Sequence, residues 1–326
     1  MSNTVRAIVY GILNVLLFPV TLIGYVIWVG KILVSGRRSG VSSTAQAPLV
    51  GRWGLHNLGT RRDEASNRLL MVLPGISPLA VHLTSVSVLF GYRVTGYVPA
   101  LYRYPYEGDI PPQAEAAGRM AFFDSVVERY LPNITQFVIL GAGFDTRAFR
   151  LPENSGVLSF EVDAPKTQTI KREALDKAGI DPKGSRVTFV SADFEKEDWL
   201  TKLVDAGFDL TKSALFVWEG VTMYLDRQAV EATLHKIAGT AKGSIVAFDY
   251  YTDESLLSPS LYWRFARAAT KAAGEPLKFG IDSTPPAKER LAEFLRSAGL
   301  ELCEYRMLGH ETEGKRAWGG FAVASV

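Results

Sequence analysis

Cysteine is nearly absent: Cys303 stands alone among 326 residues, so it has no partner for an intramolecular disulfide and cannot build a thiolate metal cluster. A reducing compartment is the expected setting. Histidine is scarce as well. Its four copies, His56, His82, His235 and His310, stand far apart without metal-ligand spacing, and no metal is expected. A charge excess of one sign is missing too, since 36 Lys and Arg against 34 Asp and Glu leave +2, without the basic surplus of a nucleic-acid-binding domain. No nucleic-acid partner is expected. Charged residues make up only 21% of the chain and apolar residues 47%, which excludes wholesale disorder and supplies a large core. At about 150 residues per domain, the length predicts roughly two units.

What is present begins with an apolar run. Ala7 to Gly30 contains no Asp, Glu, Lys, Arg or His, and about 20 such residues suffice to cross a bilayer. We read it as a transmembrane helix, kinked at Pro19 and ending near the interfacial aromatics Tyr25 and Trp28. Lys31, Arg37 and Arg38 after the run outnumber Arg6 before it, which puts the remainder of the chain in the cytoplasm and the N-terminus outside. Two alternatives stay open: a signal peptide with Ala45-Gln46-Ala47 as cleavage site, and a buried hairpin helix of a soluble core. A second uncharged stretch, Leu69 to Tyr92, is also long enough to span. Spanning would separate the arginine-bearing link (Arg37, Arg38, Arg52, Arg61, Arg62 and Arg68) from the rest of the chain. Pro74, Gly75 and Pro78 also interrupt it, so the expectation is a broken helix on the membrane surface or lining an apolar pocket, with ordinary core packing as the alternative. Ser35 to Pro48 reads as a linker.

From Phe137 onward, strand-length apolar runs alternate with helix-length amphipathic segments: FVILGAG, VLSFEVD, VTFVSAD, ALFVWEG and GSIVAFDYY. That alternation predicts an α/β fold with a parallel sheet covered on both faces. The final runs, LELCEYRML and WGGFAVASV, are joined only by HETEGKRA and are expected to pair as an antiparallel hairpin. Between the fifth and sixth strands lies a long insertion with Tyr262, Trp263 and Phe265, which either roof a substrate cleft or pack on the sheet.

Gly141-Ala142-Gly143 follows the first strand directly, where glycine lets the backbone turn and approach a ligand. Glu161 and Asp163 end the second strand about 20 residues on, where an acid binds ribose hydroxyls, and Asp193 ends the third. Thr146 occupies the third glycine position of the dinucleotide fingerprint. With Asp145 beside it, that argues against a pyrophosphate ligand such as NAD.

LGAGFDTRAFRL, FEVDAPKTQTIKRE, VSADFEKEDW and WEGVTMYLD, in this order and spacing, resemble the leucine carboxyl methyltransferase family, especially its bacterial-type small-molecule branch. The resemblance covers roughly residues 113 to 326 and implies a Rossmann-like class I methyltransferase sheet with S-adenosylmethionine as cofactor. It further implies that Arg119 pairs with the cofactor's methionine carboxylate, that Gly141 and Gly143 border the methionine portion, and that Asp163 binds the ribose. Asp193 then meets the adenine, Glu219 lies near the amino group and the transfer site, and Tyr224 lines the acceptor pocket. Asp145, Thr146 and Arg147 match family positions, as loop structure or as ligand contacts.

The chemistry implied is direct methyl transfer from a sulfonium to an oxygen nucleophile held in line. A carboxylate acceptor is already ionised and needs no base; a phenol or alcohol needs one, for which Glu219 or His235 come into question. His235 lies in a helical pattern and receives no role. The expected organisation is an anchor over 1–34, a linker and apolar helical cap over 35–118 and a methyltransferase domain over 119–326. The expected activity is O-methylation of an apolar or lipid-like acceptor at a membrane, with a protein carboxyl methyltransferase or an inactive cofactor-binding scaffold as alternatives. The oligomeric state is left open.

Overall fold

The computed structural model describes residues 2–39, 43–182, 184, 186–312 and 316–326. It divides into two compact units. The first comprises Met1–Glu107, Phe144–Thr146 and Thr169–Asp181, and the second Gly108–Gly143, Arg147–Gln168 and Pro182–Val326.

The first unit is helical. α1 (Asn3–Ser39) runs through Pro19 and extends beyond the uncharged run at both ends. Its stretch Asn3–Lys31 is long and apolar enough to cross a membrane, a property shared with signal sequences. Only 11% of its most apolar part is buried, which argues against the core helix of a soluble protein. α2 (Ser43–Asn57) starts inside the segment expected to be a linker. Ala45, Gln46 and Ala47 are strong helix formers, and the segment takes that local preference instead of staying open. Gly40–Ser42, part of the same expectation, lie outside the described residues.

The second uncharged stretch is broken, as its Pro-Gly pair demands. α3 (Glu64–Val72) is capped by Asp63, whose side chain accepts the Ser66 N–H, and α4 (Pro78–Thr95) by Ser77. α4 lies antiparallel along α1. The Lys31 ammonium donates to the Ile76 carbonyl, Gly24 abuts Leu83 and Thr84, Gly91 abuts Tyr10, and Arg6 approaches Gly96.

A buried polar network completes this unit. Arg52 on α2 pairs with Asp145 at 2.9 Å, and Lys171 donates to the Asp145 carbonyl at 2.7 Å. Thr146 donates to Asp63 at 3.0 Å and lies 2.9 Å from the Ser66 hydroxyl, while Arg61 pairs with Asp63 at 2.7 Å. Each of these side chains is buried, so each needs the partner it has.

The second unit is the expected α/β sheet. It opens with α5 (Glu115–Tyr130), with Glu115 in its first turn and Arg129 in its last, both favourable to the helix dipole. Then follow β1 (Gln136–Leu140), β2 (Leu158–Asp163), α6 (Pro165–Lys177, shared with the first unit), β3 (Val187–Ser191), α7 (Trp199–Asp205), β4 (Ala214–Trp218), α8 (Arg227–Ala238) and β5 (Ile245–Tyr251). The insertion folds as α9 (Asp253–Leu257), α10 (Leu261–Ala272) and α11 (Ala287–Ser297), before β6 (Glu301–Leu308) and β7 (Gly319–Ser325).

The sheet order is β3-β2-β1-β4-β5-β7-β6. The first five strands pair in parallel, and β7 sits antiparallel between β5 and β6. β1 and β4 are buried on both faces, which explains their unbroken apolar sequence. Strand order reverses between β1 and β4, and in such sheets the crevice at the carboxyl ends of the reversing strands takes the ligand.

The helix pair gives a direct check. A Cβ at Gly24 would lie 2.6 Å from the Thr84 backbone nitrogen, whereas nothing lies within 4 Å at Gly11. We expect Gly24→Ala to cost about 1–3 kcal/mol, read as a lower melting temperature in detergent, and Gly11→Ala to leave it unchanged or slightly higher.

Candidate cofactor site

β1 ends in a turn built by two left-handed glycines, Gly141 at φ +66° and Gly143 at φ +45°. The Gly141 N–H donates to the Val162 carbonyl at 2.8 Å, and a Cβ there would come within 2.4 Å of a Val221 methyl. The turn therefore packs directly between the ends of β2 and β4. Asp163, the last residue of β2, accepts the Gly143 N–H at 2.5 Å and the Ala164 N–H at 2.6 Å, one on each oxygen. The acid is thereby fixed against the glycine turn. Glu161, two residues earlier, is 1% exposed, so Asp163 carries the strand-end position. Asp193 follows β3 at the surface, accepts the Glu195 N–H and pairs with Lys196 at 2.8 Å; the Lys196 hydrogen bond holds its carboxyl below the usual range.

Arg119 projects from α5 into a ring of acids. Its Nη1 lies 3.2 Å from both Glu115 and Asp249, and its Nε lies 3.4 Å from Glu219. Burial works against its charge, but Glu115, Asp249 and Glu219 outweigh that and raise its pKa. Its Nη2 has no hydrogen-bond partner among the described residues. Gly220, at φ +69°, lets the chain pass close beside this guanidinium, and its N–H donates to Asp249 at 2.6 Å.

Glu219 is shared. One oxygen faces Arg119, and the other accepts from Arg147, whose Nε pairs with Asp124 at 2.7 Å. Asp249, at the end of β5, has its carboxyl pushed up from 3.8 to about 6 by burial, with Arg119 pulling it back and Glu115 and Glu219 adding to the rise. Tyr251 donates to Glu115 at 2.9 Å. Tyr224, in the turn after β4, has its phenol pushed up to about 12, chiefly by burial, so it stays protonated at neutral pH.

The expected residues therefore fall in sheet order along one edge: Asp193, Asp163, Gly141 with Gly143, then Glu219. Arg119, Glu219 and Tyr224 gather at the β4–β5 end. Asp145 and Thr146 do not join them, because their side chains belong to the buried network of the first unit. The Asp145 charge that argued against a pyrophosphate is met by Arg52. His235 lies exposed on α8, its ring bonded to the Glu231 carbonyl. Of the insertion aromatics, Trp263 packs edge-on against Tyr251 at 5.0 Å, whereas Phe265 is 74% exposed. Sequence reasoning missed Asp249, Glu115 and Tyr251. The signals were an acid inside the apolar run IVAFDYY and an acid four residues before Arg119 on one helix face.

Residues 111–238 match the family model of leucine carboxyl methyltransferase. A curated protein of Mycobacterium tuberculosis, provisionally named an S-adenosyl-L-methionine-dependent methyltransferase, is 36% identical over 170 residues, which cover 50% of this chain and 56% of that protein. One of Mycobacterium ulcerans with the same provisional name is 37% identical over 190 residues, covering 56% of this chain and 58% of its own. The chain thus spans little more than half the length of these relatives. A crystal structure of a DUF574 family protein from Streptomyces avermitilis superposes at a TM-score of 0.46 and 18% identity, over 64% of this chain and 83% of that one. The similarity to these methyltransferases lies in the stretch that carries the glycine turn, Asp163 and Glu219.

The raised Asp249 carboxyl sets a pH dependence. The folded protein keeps this proton to higher pH than the unfolded chain, so the stabilisation is complete below about 3.8 and is lost as pH rises through about 6. We expect the Asp249 carboxyl carbon to titrate at about 6 in an NMR pH series. In Arg119→Gln the midpoint should move higher, because the cation that favours the charged form is gone. A parent midpoint near 4 would contradict the burial described.

Proposed function

We propose that the chain is a membrane-attached S-adenosylmethionine-dependent O-methyltransferase acting on an apolar acceptor with a carboxylate or hydroxyl. The observation that carries this reading is Arg119 held among Glu115, Glu219 and Asp249 beside a glycine turn that is itself tied to Asp163. These residues fit the cofactor. The open Nη2 edge of Arg119 suits a carboxylate, the surplus of acids suits an ammonium or a sulfonium, and Asp163 stands at the strand end where an acid meets ribose hydroxyls. Asp193 would meet the adenine amino group after releasing Lys196.

The cofactor supplies an electrophilic methyl group. This chain's own residues orient it and the acceptor. Glu219, with an oxygen toward each of two guanidinium groups, holds Arg119 and Arg147 in place. Tyr224, protonated, donates a hydrogen bond to the acceptor oxygen. That division suits a carboxylate acceptor, which needs positioning and no base.

Membrane attachment through α1 and an apolar acceptor are supported by the apolar surface of α1 and by Leu257, Leu261 and Phe265, each more than 70% exposed at the α9–α10 edge of the second unit. The same reading assigns residues 1–34 to attachment, 35–118 to a helical cap and 119–326 to the methyltransferase domain, on the cytoplasmic side.

The test uses full-length protein in detergent, methyl-labelled S-adenosylmethionine and a host extract separated into lipid, small-molecule and protein fractions. Label in the lipid or small-molecule fraction that mild base releases as methanol is the expected result; label confined to protein, or none, overturns the acceptor assignment. Arg119→Ala and Asp163→Asn should each weaken S-adenosylhomocysteine binding by about 1.5–3 kcal/mol, the scale of a hydrogen bond to a charged group. Arg119→Lys, which keeps the buried acids paired, should retain the fold and still bind more weakly. Unchanged affinity in all three would remove the site assignment.

A further inference from the structure

The way α4 lies along α1 restricts how the chain meets a membrane. Contacts run the whole length of the pair: Lys31 to Ile76, Gly24 to Leu83 and Thr84, Tyr10 to Gly91, Arg6 to Gly96. If Ala7–Gly30 crossed a bilayer, residues 79–95 of α4 would lie at the same depths. Gly96 would then emerge beside Arg6, on the side opposite to α2 and α3.

The buried network forbids that outcome. Arg52 of α2 pairs with Asp145, and Asp63 and Ser66 bond Thr146. Asp145 and Thr146 come after Gly96, so the chain would have to recross the bilayer between residues 97 and 144. That stretch holds α5, which carries Glu115, Arg119, Asp124, Glu128 and Arg129, and β1. Among the described residues one helix is long and apolar enough to cross, and it is α1. A charged helix of 16 residues is no substitute.

We infer that α1 and α4 lie side by side in the plane of one leaflet as a helical hairpin, with both ends of α1 on the same face of the membrane, and that the partner of this surface is a lipid bilayer. The single-pass topology expected from the charge balance around α1 is thereby replaced. The surface suits hydrocarbon: Val5, Ile8, Ile12, Val15, Leu22 and Val26 form an exposed stripe at helical spacing, and Leu79, Phe90 and Val94 are exposed on α4. His82 and Arg93, also exposed on α4, give the pair polar positions for the headgroup layer. The inference rests on the membrane attachment proposed above and not on the cofactor assignment.

The test is sided labelling of the full chain. Cys303→Ser removes the one native thiol, and Thr4→Cys or Arg62→Cys places a single thiol at an exposed position in the first turn of α1 or between α2 and α3. Cells expressing each variant are treated with a membrane-impermeant maleimide, intact or permeabilised, and their membranes are washed in alkaline carbonate. We expect the protein to stay with the carbonate-washed membranes, and both thiols to be protected in intact cells and labelled after permeabilisation. Labelling of Thr4→Cys in intact cells with protection of Arg62→Cys would establish a single crossing and overturn the inference. Release of the chain by carbonate would overturn both the hairpin and the membrane attachment, while S-adenosylhomocysteine binding would still report on the cofactor site.

Discussion

One carboxylate between two guanidinium groups governs the candidate site. Glu219 reaches Arg119 from α5 with one oxygen and Arg147 from the turn after β1 with the other, so it ties three separate elements at the carboxyl end of β4. Arg147 and Glu219 are almost wholly buried and Arg119 nearly so. Ions withdrawn from water hold their arrangement only while each has its counterpart, and removing one member of a buried pair typically costs about 3–5 kcal/mol. Asp249 and Glu115 close the ring from β5 and from α5 itself. The result is a preorganised cluster in which four carboxylates, Glu115, Asp124, Glu219 and Asp249, surround two guanidinium groups, an environment poor for a simple anion.

Much of this frame was legible in the sequence. Seven strands follow from seven apolar runs, and their parallel-then-antiparallel order follows from the helix-length spacers and their absence before β7. Gly141, Gly143 and Asp163 were legible because a strand-end turn followed by an acid about 20 residues on is a local pattern. Asp249 and Tyr251 were not, because no local pattern says that residues 130 places or more along the chain converge on Arg119, whereas Glu115, four residues before it on α5, did leave a local signal. Only the folded register of β4 beside β5 brings them together. The role of Asp145 was hidden for a similar reason, since its partner Arg52 lies 93 residues away. The supposed linker failed on a local count: small polar residues suggest an open segment, but Ala-Gln-Ala favours a helix once a neighbouring helix is there to pack against.

The charge rule applied to α1 illustrates a different limit. It weighs residues flanking one apolar run and takes that run as an independent rod. Here the rod has a partner in α4, with Lys31 bonded to the Ile76 carbonyl just before it, and α2, which follows the rod, is held by Arg52 to Asp145 far along the chain. Under the inference drawn above, topology follows from connectivity, which no window of the sequence contains.

The loop after β1 has one further consequence. Of the five residues from Gly143 to Arg147, four are bound each to a different place: Gly143 to Asp163, Asp145 to Arg52 and Lys171, Thr146 to Asp63 and Ser66, Arg147 to Asp124 and Glu219. Successive residues with unrelated partners leave no register into which the loop can slip. A chain of this kind drifts readily in evolution through its surface helices, while in this pentapeptide insertion or deletion of a single residue would mismatch every partner downstream at once. The five residues work as an indexing pin, each fixing the count for the next.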